Sequence, residues 1–326
     1  MKSIQHIIGT HRNQIKGFAI LWVVFFHAQL GLTGILYDVQ KIGYGGVDLF
    51  LFLSGFGLYH SLAKDSDTGR YLMRRCRRLL PAYLPFCLVW LCVMIPLYGG
   101  GMATSLRIAA GNLGMFGFFA NVPLMINWYV SMLALSLLLA PLFFAWLRHE
   151  DHGTVRVLAL MAVCFGIGLA YVGNDEYMAV SRLPVFVLGM AFARPCEKEH
   201  KWLPSVLAAG ALAGFAALYA CFARFPELLN EYAMYWHPFA LIAPALCAGL
   251  GWLFARTPGI VSRVFAVLGR ASFEIFLFNV WLEVLGKRYG LCSTGVEWML
   301  WSAASIALGC GYHWLIGRFR RQKTKL

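Results

Sequence analysis

An all-α, polytopic integral membrane protein with about ten transmembrane helices is the fold class this sequence predicts, and three observations carry it. Of 326 residues, 60% are apolar and only 13% are charged; a soluble globular chain has roughly 45–50% apolar and about 25% charged residues. The apolar segments run to about 20 residues, the length of a membrane-crossing helix, and do not alternate over about ten as barrel strands do. The 28 Lys and Arg outnumber the 15 Asp and Glu and gather between the apolar runs, where cytoplasmic loops collect them. Such a composition excludes a soluble enzyme, a disordered chain, a coiled coil and a nucleic-acid-binding domain. The nine cysteines form no CxxC pair and mostly sit in apolar stretches, so they read as small buried hydrophobes and not as a disulfide framework or a zinc site. No metal is expected.

The elements follow in order. The first apolar run, 18–36, comes after a polar leader carrying Arg12 and Lys16 and is long enough to span; it is expected to remain as a helix of the mature protein. The second, 44–62, opens on GYGGVDLF, whose glycines read as seats for close helix packing. They lack the strand–turn–helix setting of a phosphate loop. The third, 79–98, follows the basic stretch RYLMRRCRRLLPAYLP. Further spans are expected at 128–147, 157–173, 179–194, 203–223, 237–255, 264–286 and 294–317. Trp128 and Trp236 at outer ends, and Trp202 at an inner end, suit interfacial anchoring. No internal repeat is visible, and the expectation is a single domain over 1–326 without a soluble extension.

One stretch, 108–125 (IAAGNLGMFGFFANVPLM), is apolar enough to span but carries three Gly, two Asn and a Pro. Charge decides its reading. With the N-terminus inside and 108–125 not spanning, 22 Lys and Arg fall on the inner side and 6 on the outer. If it spans, every later loop inverts and the tail RFRRQKTKL lies outside, against the positive-inside rule. A re-entrant or interfacial segment near 108–125 is therefore expected, and both termini are expected in the cytoplasm. Irregular backbone at membrane depth needs protein or a water-filled cavity around it.

Ionisable residues inside spans are expensive and mark functional sites. Four stand out: His27, Asp48, Glu274 and Glu283. By helix rise His27 lies about 15 Å past Gly17, and Glu274 about 15 Å past Val264, each near the middle of a roughly 30 Å core. Asp48 enters from the outer side and sits shallower. An unperturbed imidazole titrates at about pH 6.5, which suits general-base work near neutrality. A carboxylate on its other nitrogen would set the tautomer. Glu274 could instead pair with Arg270 one turn earlier. Arg75 and Arg78, three apart, share a face of any helix formed there, and such a fork can clamp phosphates.

These segments occur together and in order, and the chain resembles membrane acyltransferase family 3, the polytopic enzymes that O-acylate surface carbohydrates and other exported compounds. The family opens on a helix of the type L-R-G-x-A with a His beyond it; here it reads IKGFAILWVVFFH, with Lys16 at the Arg position and His27 as the His. The family signature G-V-D-L-F-F-x-x-S-G-F is matched by Gly46 to Phe50 and Ser54 to Phe56, and its R-x-x-R pair by Arg75 and Arg78 before Pro81. Weaker similarities are NWYVSMLALSLLLAPLF, SRLPVFVLGMAFAR and LGRASFEIFLFN. Three positions depart from the pattern. Lys16 keeps the charge but not the bidentate fork, Leu133 stands where an acidic residue is common, and Asn279 where a His is frequent.

The resemblance implies a bacterial cytoplasmic (inner) membrane, multi-pass enzyme. Its donor would be acetyl-CoA or another acyl-CoA from the cytoplasm, its acceptor a carbohydrate or lipid-linked glycan, with membrane lipid around it, no nucleic acid, and room for biosynthetic partner proteins. Catalytic work would fall to His27, Asp48 and Glu274, and donor binding to Lys16, Arg75 and Arg78. His27 would act as general base or carry the acyl group itself. Two other classes fit the same helices: a transporter or flippase, and a subunit relaying acyl groups to a separate outer-side transferase.

Overall fold

The computed structural model describes residues 3–149, 151–195, 201–225 and 236–323. Cys196, Lys198 and Lys325, which entered the sequence reading, lie outside them. Among the described residues every regular element is helical. Helices α1 (Ile4–Thr10), α2 (Arg12–His27), α3 (Gly34–Lys41), α4 (Gly45–Lys64), α5 (Thr68–Tyr98), α6 (Met102–Leu113), α7 (Trp128–Leu147) and α8 (Gly153–Ala170) come first. They are followed by α9 (Tyr177–Val180), α10 (Leu183–Phe192), α11 (Leu203–Ala223), α12 (Phe239–Phe254), α13 (Gly259–Arg270), α14 (Ser272–Arg288) and α15 (Gly295–Lys323). Five of these, α4, α5, α7, α8 and α11, are long and apolar enough to cross a membrane. On α8 and α11 only 11% of the apolar window is buried, with Leu158, Leu212 and Tyr219 pointing outward. Water would penalise such faces and lipid does not.

The chain divides into two compact units: residues 1–15, 47–72 and 135–258, and residues 16–46, 73–134 and 259–326. In the first unit, α4 and α10 meet backbone to backbone. A Cβ on Gly55 would strike the Phe186 carbonyl, and one on Gly189 the Phe52 carbonyl. Two glycines on facing helices thus let the chains approach as only bare backbone can.

In the second unit the glycines of GYGG do the same. A Cβ on Gly43 would meet the Trp22 carbonyl and one on Gly46 the Ala19 carbonyl, so α2 and the chain entering α4 lie against each other. Gly17 sits against the Phe265 carbonyl of α13 in the same way.

Several expected spans are divided. The run 18–36 is not one helix: α2 stops at His27, Gly31 and Gly34 take φ of 65° and 62°, and a separate α3 follows. The Gln40 side chain donates to the carbonyls of Phe25 and Ala28, satisfying acceptors that a helix end leaves open. His27 is therefore the last residue of its helix and not a mid-helix residue. The run 264–286 breaks at Ala271 (φ −88°, ψ 5°), between the weak helix formers Gly269 and Ser272. Glu274 consequently lies in the first turn of α14. The run 179–194 breaks at Ser181–Arg182, and Pro184 in the first turn of α10 suits the restart. In contrast, α5 is longer than expected, because the basic stretch continues the helix back to Thr68.

The stretch 108–125 is not one continuous helix either. Past the end of α6, irregular backbone runs to Trp128 with Met115, Asn121 and Leu124 at φ of 60°, 50° and 54°, a conformation that costs an L-residue about 1–2 kcal/mol. Side chains hold it there. The buried Asn112 amide donates to Ile108 O and Leu124 O, and its oxygen accepts from Ile126 N at 2.8 Å. Trp90 Nε1 donates to Leu124 O, Tyr83 Oη to Asn112 O and Arg107 to Ala120 O. A core of Tyr83, Phe86, Trp90, Met94, Ile126 and Leu277 packs beneath.

The glycine contacts make a direct forecast. Gly55→Ala and Gly189→Ala should each lower stability by about 1–3 kcal/mol through overpacking against backbone. Gly166→Ala and Gly249→Ala, where a Cβ meets nothing within 4 Å, should be neutral or slightly stabilising. Thermal unfolding of the purified protein in neutral detergent measures the contrast.

Candidate active site

Each intramembrane charge singled out in the sequence carries a partner. In the second unit, His27 Nδ1 lies 2.7 Å from Glu283 Oε2, and Glu283 Oε1 lies 2.6 Å from Lys287 Nζ one turn along α14. The Phe26 ring stands edge-on to the imidazole at 5.1 Å. Lys287 Nζ is 5.8 Å from the Trp298 ring centre. A small cavity opens beside the pair, lined by Ala28, Asn279, Leu282, Glu283, Trp298 and Ser302 among others. Asn279 and Glu283 are four apart, so both stand on one face of α14. The Asn279 Oδ1 is buried without a hydrogen-bond partner. With Nδ1 committed to a carboxylate, the imidazole keeps Nε2 for another molecule, the arrangement a general base needs.

Glu274 is elsewhere on the same helix. Nine residues from Glu283, it falls on the opposite face of α14, and its Oε1 meets His313 Nδ1 of α15 at 2.9 Å. No ion pair joins it to Arg270 among the described residues. His313 went unnoticed in the sequence, although it recurs on one side of α15 with Ser302, eleven residues earlier, and Arg320, seven later. Arg320 Nη2 donates to the Arg78 carbonyl at 2.7 Å, and Tyr312 Oη to the Ala82 carbonyl at 2.9 Å. Helix α15 thus runs from the cavity beside Glu283 to the Arg78–Ala82 stretch of α5. From Ser302 to Arg320 it rises about 27 Å. Arg75 is partly buried and Arg78 exposed on α5. Lys16, partly buried, precedes His27 by eleven residues, three helical turns along one face of α2.

Asp48 belongs to the first unit, where it is bound to an arginine that the sequence reading had not singled out. Arg182 Nη1 donates to Asp48 Oδ2 at 2.6 Å, with both side chains buried. The guanidinium carbon lies 5.5 Å from the Trp236 ring centre, and the guanidinium Nε donates to the Met178 carbonyl. Trp236, expected as an interfacial anchor, is only 8% exposed and serves as the floor for this charge. Beside it Tyr177 Oη and His237 Nε2 are 2.5 Å apart. Asp48 is thereby engaged in holding α4 to the α9–α10 break.

Residues 13–316 match the family described as Acyltransferase domain. The chain belongs to that acyltransferase family. The match takes in Lys16, His27, Asp48, Arg75, Arg78, Glu274, Glu283 and His313 and ends before Arg320. A protein of Acidianus two-tailed virus named "Putative acetyltransferase" is 39% identical over 70 residues, 22% of this chain. The chain spans about a fifth (21%) of that relative's length. No solved structure matches the chain.

The Asp48–Arg182 pair can be tested as a unit of the family fold. Asp48→Asn leaves a buried guanidinium without its counter-charge and should cost about 3–5 kcal/mol. Asp48→Asn with Arg182→Gln should cost less than the sum of the two single changes. Denaturation of all four proteins in one detergent gives the double-mutant cycle, and strict additivity would show the pair to be uncoupled.

Proposed function

We propose that this acyltransferase-family member is a membrane O-acyltransferase that moves an acyl group, acetyl by family resemblance, from cytoplasmic acyl-CoA to a hydroxyl of a surface or exported carbohydrate. The observation that carries the reading is the 2.7 Å contact between His27 Nδ1 and Glu283 beside a cavity. Glu283 fixes the tautomer, and His27 Nε2 takes the proton of the acceptor hydroxyl. The oxygen attacks the thioester carbonyl, a C–O bond forms, the C–S bond breaks, and the proton passes to the departing thiolate to give CoA thiol. Asn279 is the donor best situated for the transient oxyanion: turning its amide brings Nδ2 to the side where Oδ1 now lacks a partner.

Donor recognition belongs to Arg75 and Arg78, with Lys16 as a further point charge. Arg320, hydrogen-bonded at Arg78, supports that assignment. Glu274 and Asp48 act through their partners, His313 and Arg182, and position helices without meeting substrate. In this reading the chain has about ten crossings of the bacterial cytoplasmic membrane, both termini inside, and the irregular stretch after α6 re-enters from the outer side. Membrane lipid and a glycan or lipid-linked sugar are its partners.

Acyl transfer from labelled acetyl-CoA, by membranes containing each variant, tests the assignment. His27→Ala should lower the rate by 10²–10⁴, the usual worth of a positioned base; near-normal transfer would place the base elsewhere. Glu283→Gln should lower kcat and leave the donor KM unchanged. Arg78→Ala should raise the donor KM roughly tenfold or more, the loss of one charge-assisted hydrogen bond, with kcat retained at saturation.

A further inference from the structure

A cleft in the first unit takes no part in the chemistry above. It lies between α1, the start of α2 and the Lys64 end of α4, and has a volume of about 590 Å³. Its polar walls are Arg12, His6, His60 and Thr10, and its floor is the buried ring of Phe56. Among the described residues no carboxylate lines it. The Arg12 guanidinium lies directly over Gly57, in the space that a Cβ there would occupy. His60 stands edge-on to Phe56 at 4.9 Å, and His6 Nε2 is 3.4 Å from Thr10 Oγ1. Gln5, which also lines the cleft, donates its side-chain amide to the carbonyls of Phe192 and Arg194, which ties α1 to the rest of the unit.

We propose that this cleft binds a phosphate ester. A guanidinium fork, two imidazoles and a hydroxyl around one hollow offer donors in several directions. That suits a tetrahedral phosphate, whose two or three free oxygens point in different directions, better than a planar carboxylate. The volume is within the usual range of small-ligand sites and far above what free phosphate fills, and the Phe56 floor is apolar, so the ester's organic part has a surface to cover. Phosphate esters of this kind come from two sources, a phospholipid headgroup or a soluble metabolite.

The test uses the purified full chain carrying Arg75→Ala and Arg78→Ala, so that the proposed donor site cannot contribute and its failure would not affect the result. Thermal unfolding is followed against glycerol 3-phosphate, inorganic phosphate and acetate, and in nanodiscs of phosphatidylglycerol or phosphatidylcholine. Glycerol 3-phosphate, phosphatidylglycerol or both should stabilise the protein more than inorganic phosphate and acetate. Stabilisation by the lipid alone assigns the headgroup source, and by glycerol 3-phosphate the soluble one. Arg12→Gln should weaken the effect at least tenfold. Gly57→Ala keeps the charge but displaces the guanidinium. Gly9→Leu fills the cleft from a helical position where a Cβ meets only Phe56 at 3.9 Å. Both should weaken binding too, and they stand in should Arg12→Gln fail to fold. The proposal is overturned if neither phosphate ester stabilises the chain, if acetate does so equally, or if the Gly57→Ala and Gly9→Leu proteins respond as their parent does.

Discussion

A charge among apolar helices has to bring its own partner, a counter-charge or a hydrogen-bonding group, because lipid and hydrocarbon side chains offer none. That constraint organises the ionisable groups of this protein. Asp48 has Arg182, Glu274 has His313, and Glu283 is shared between His27 and Lys287. All three settings join helices at places where the chain is interrupted, and His27 is itself the last residue of α2. Arg182 lies at the break between α9 and α10, and Glu274 lies just past the break at Ala271. An interrupted helix exposes polar backbone ends and frees a side chain to turn inward, so break and charge accommodate one another.

The His27 setting differs in one respect that matters for chemistry. Asp48 and Arg182 are closed off, at 0% and 1% exposure, whereas the side chains of His27 and Glu283 keep 24% and 16%. A sealed pair can only hold helices together. A pair with an open edge can exchange a proton with a visitor, which is why the catalytic proposal rests on this carboxylate and imidazole and not on the better-buried one. The lysine on the far oxygen of Glu283 holds that carboxylate in place against the imidazole.

Much of this was legible in the sequence, and the limits have physical causes. Length and hydropathy located α4, α7, α11 and α12 closely, because each is a single unbroken run. They could not see the breaks at His27, Ser181 and Ala271, since an apolar window averages over one to six non-helical residues. His27, Glu283 and Asp48 were visible as charges out of place. Their partners were less so. Arg182 sits near the start of the expected span 179–194 without having been marked as a charge out of place, and its burial depends on Asp48 more than a hundred residues away. His313 is hidden in an apolar run between glycines and tryptophans. Gln40, which closes the end of α2, carries no charge and gave no signal at all. Pairings are properties of the packed fold, whereas the cost of an unpaired charge is a property of the residue alone.

The sixteen residues of α2 rise about 24 Å, less than the roughly 30 Å of hydrocarbon in an ordinary bilayer. If α2 is one of the proposed crossings, surrounding acyl chains must pinch in or polar loop must dip down around it, at a fraction of a kcal/mol per ångström. The helix that ends on the imidazole would then register the thickness of the sheet around it. Short-chain lipids would fit it at rest, and thicker sheets would draw its terminus away from the far interface.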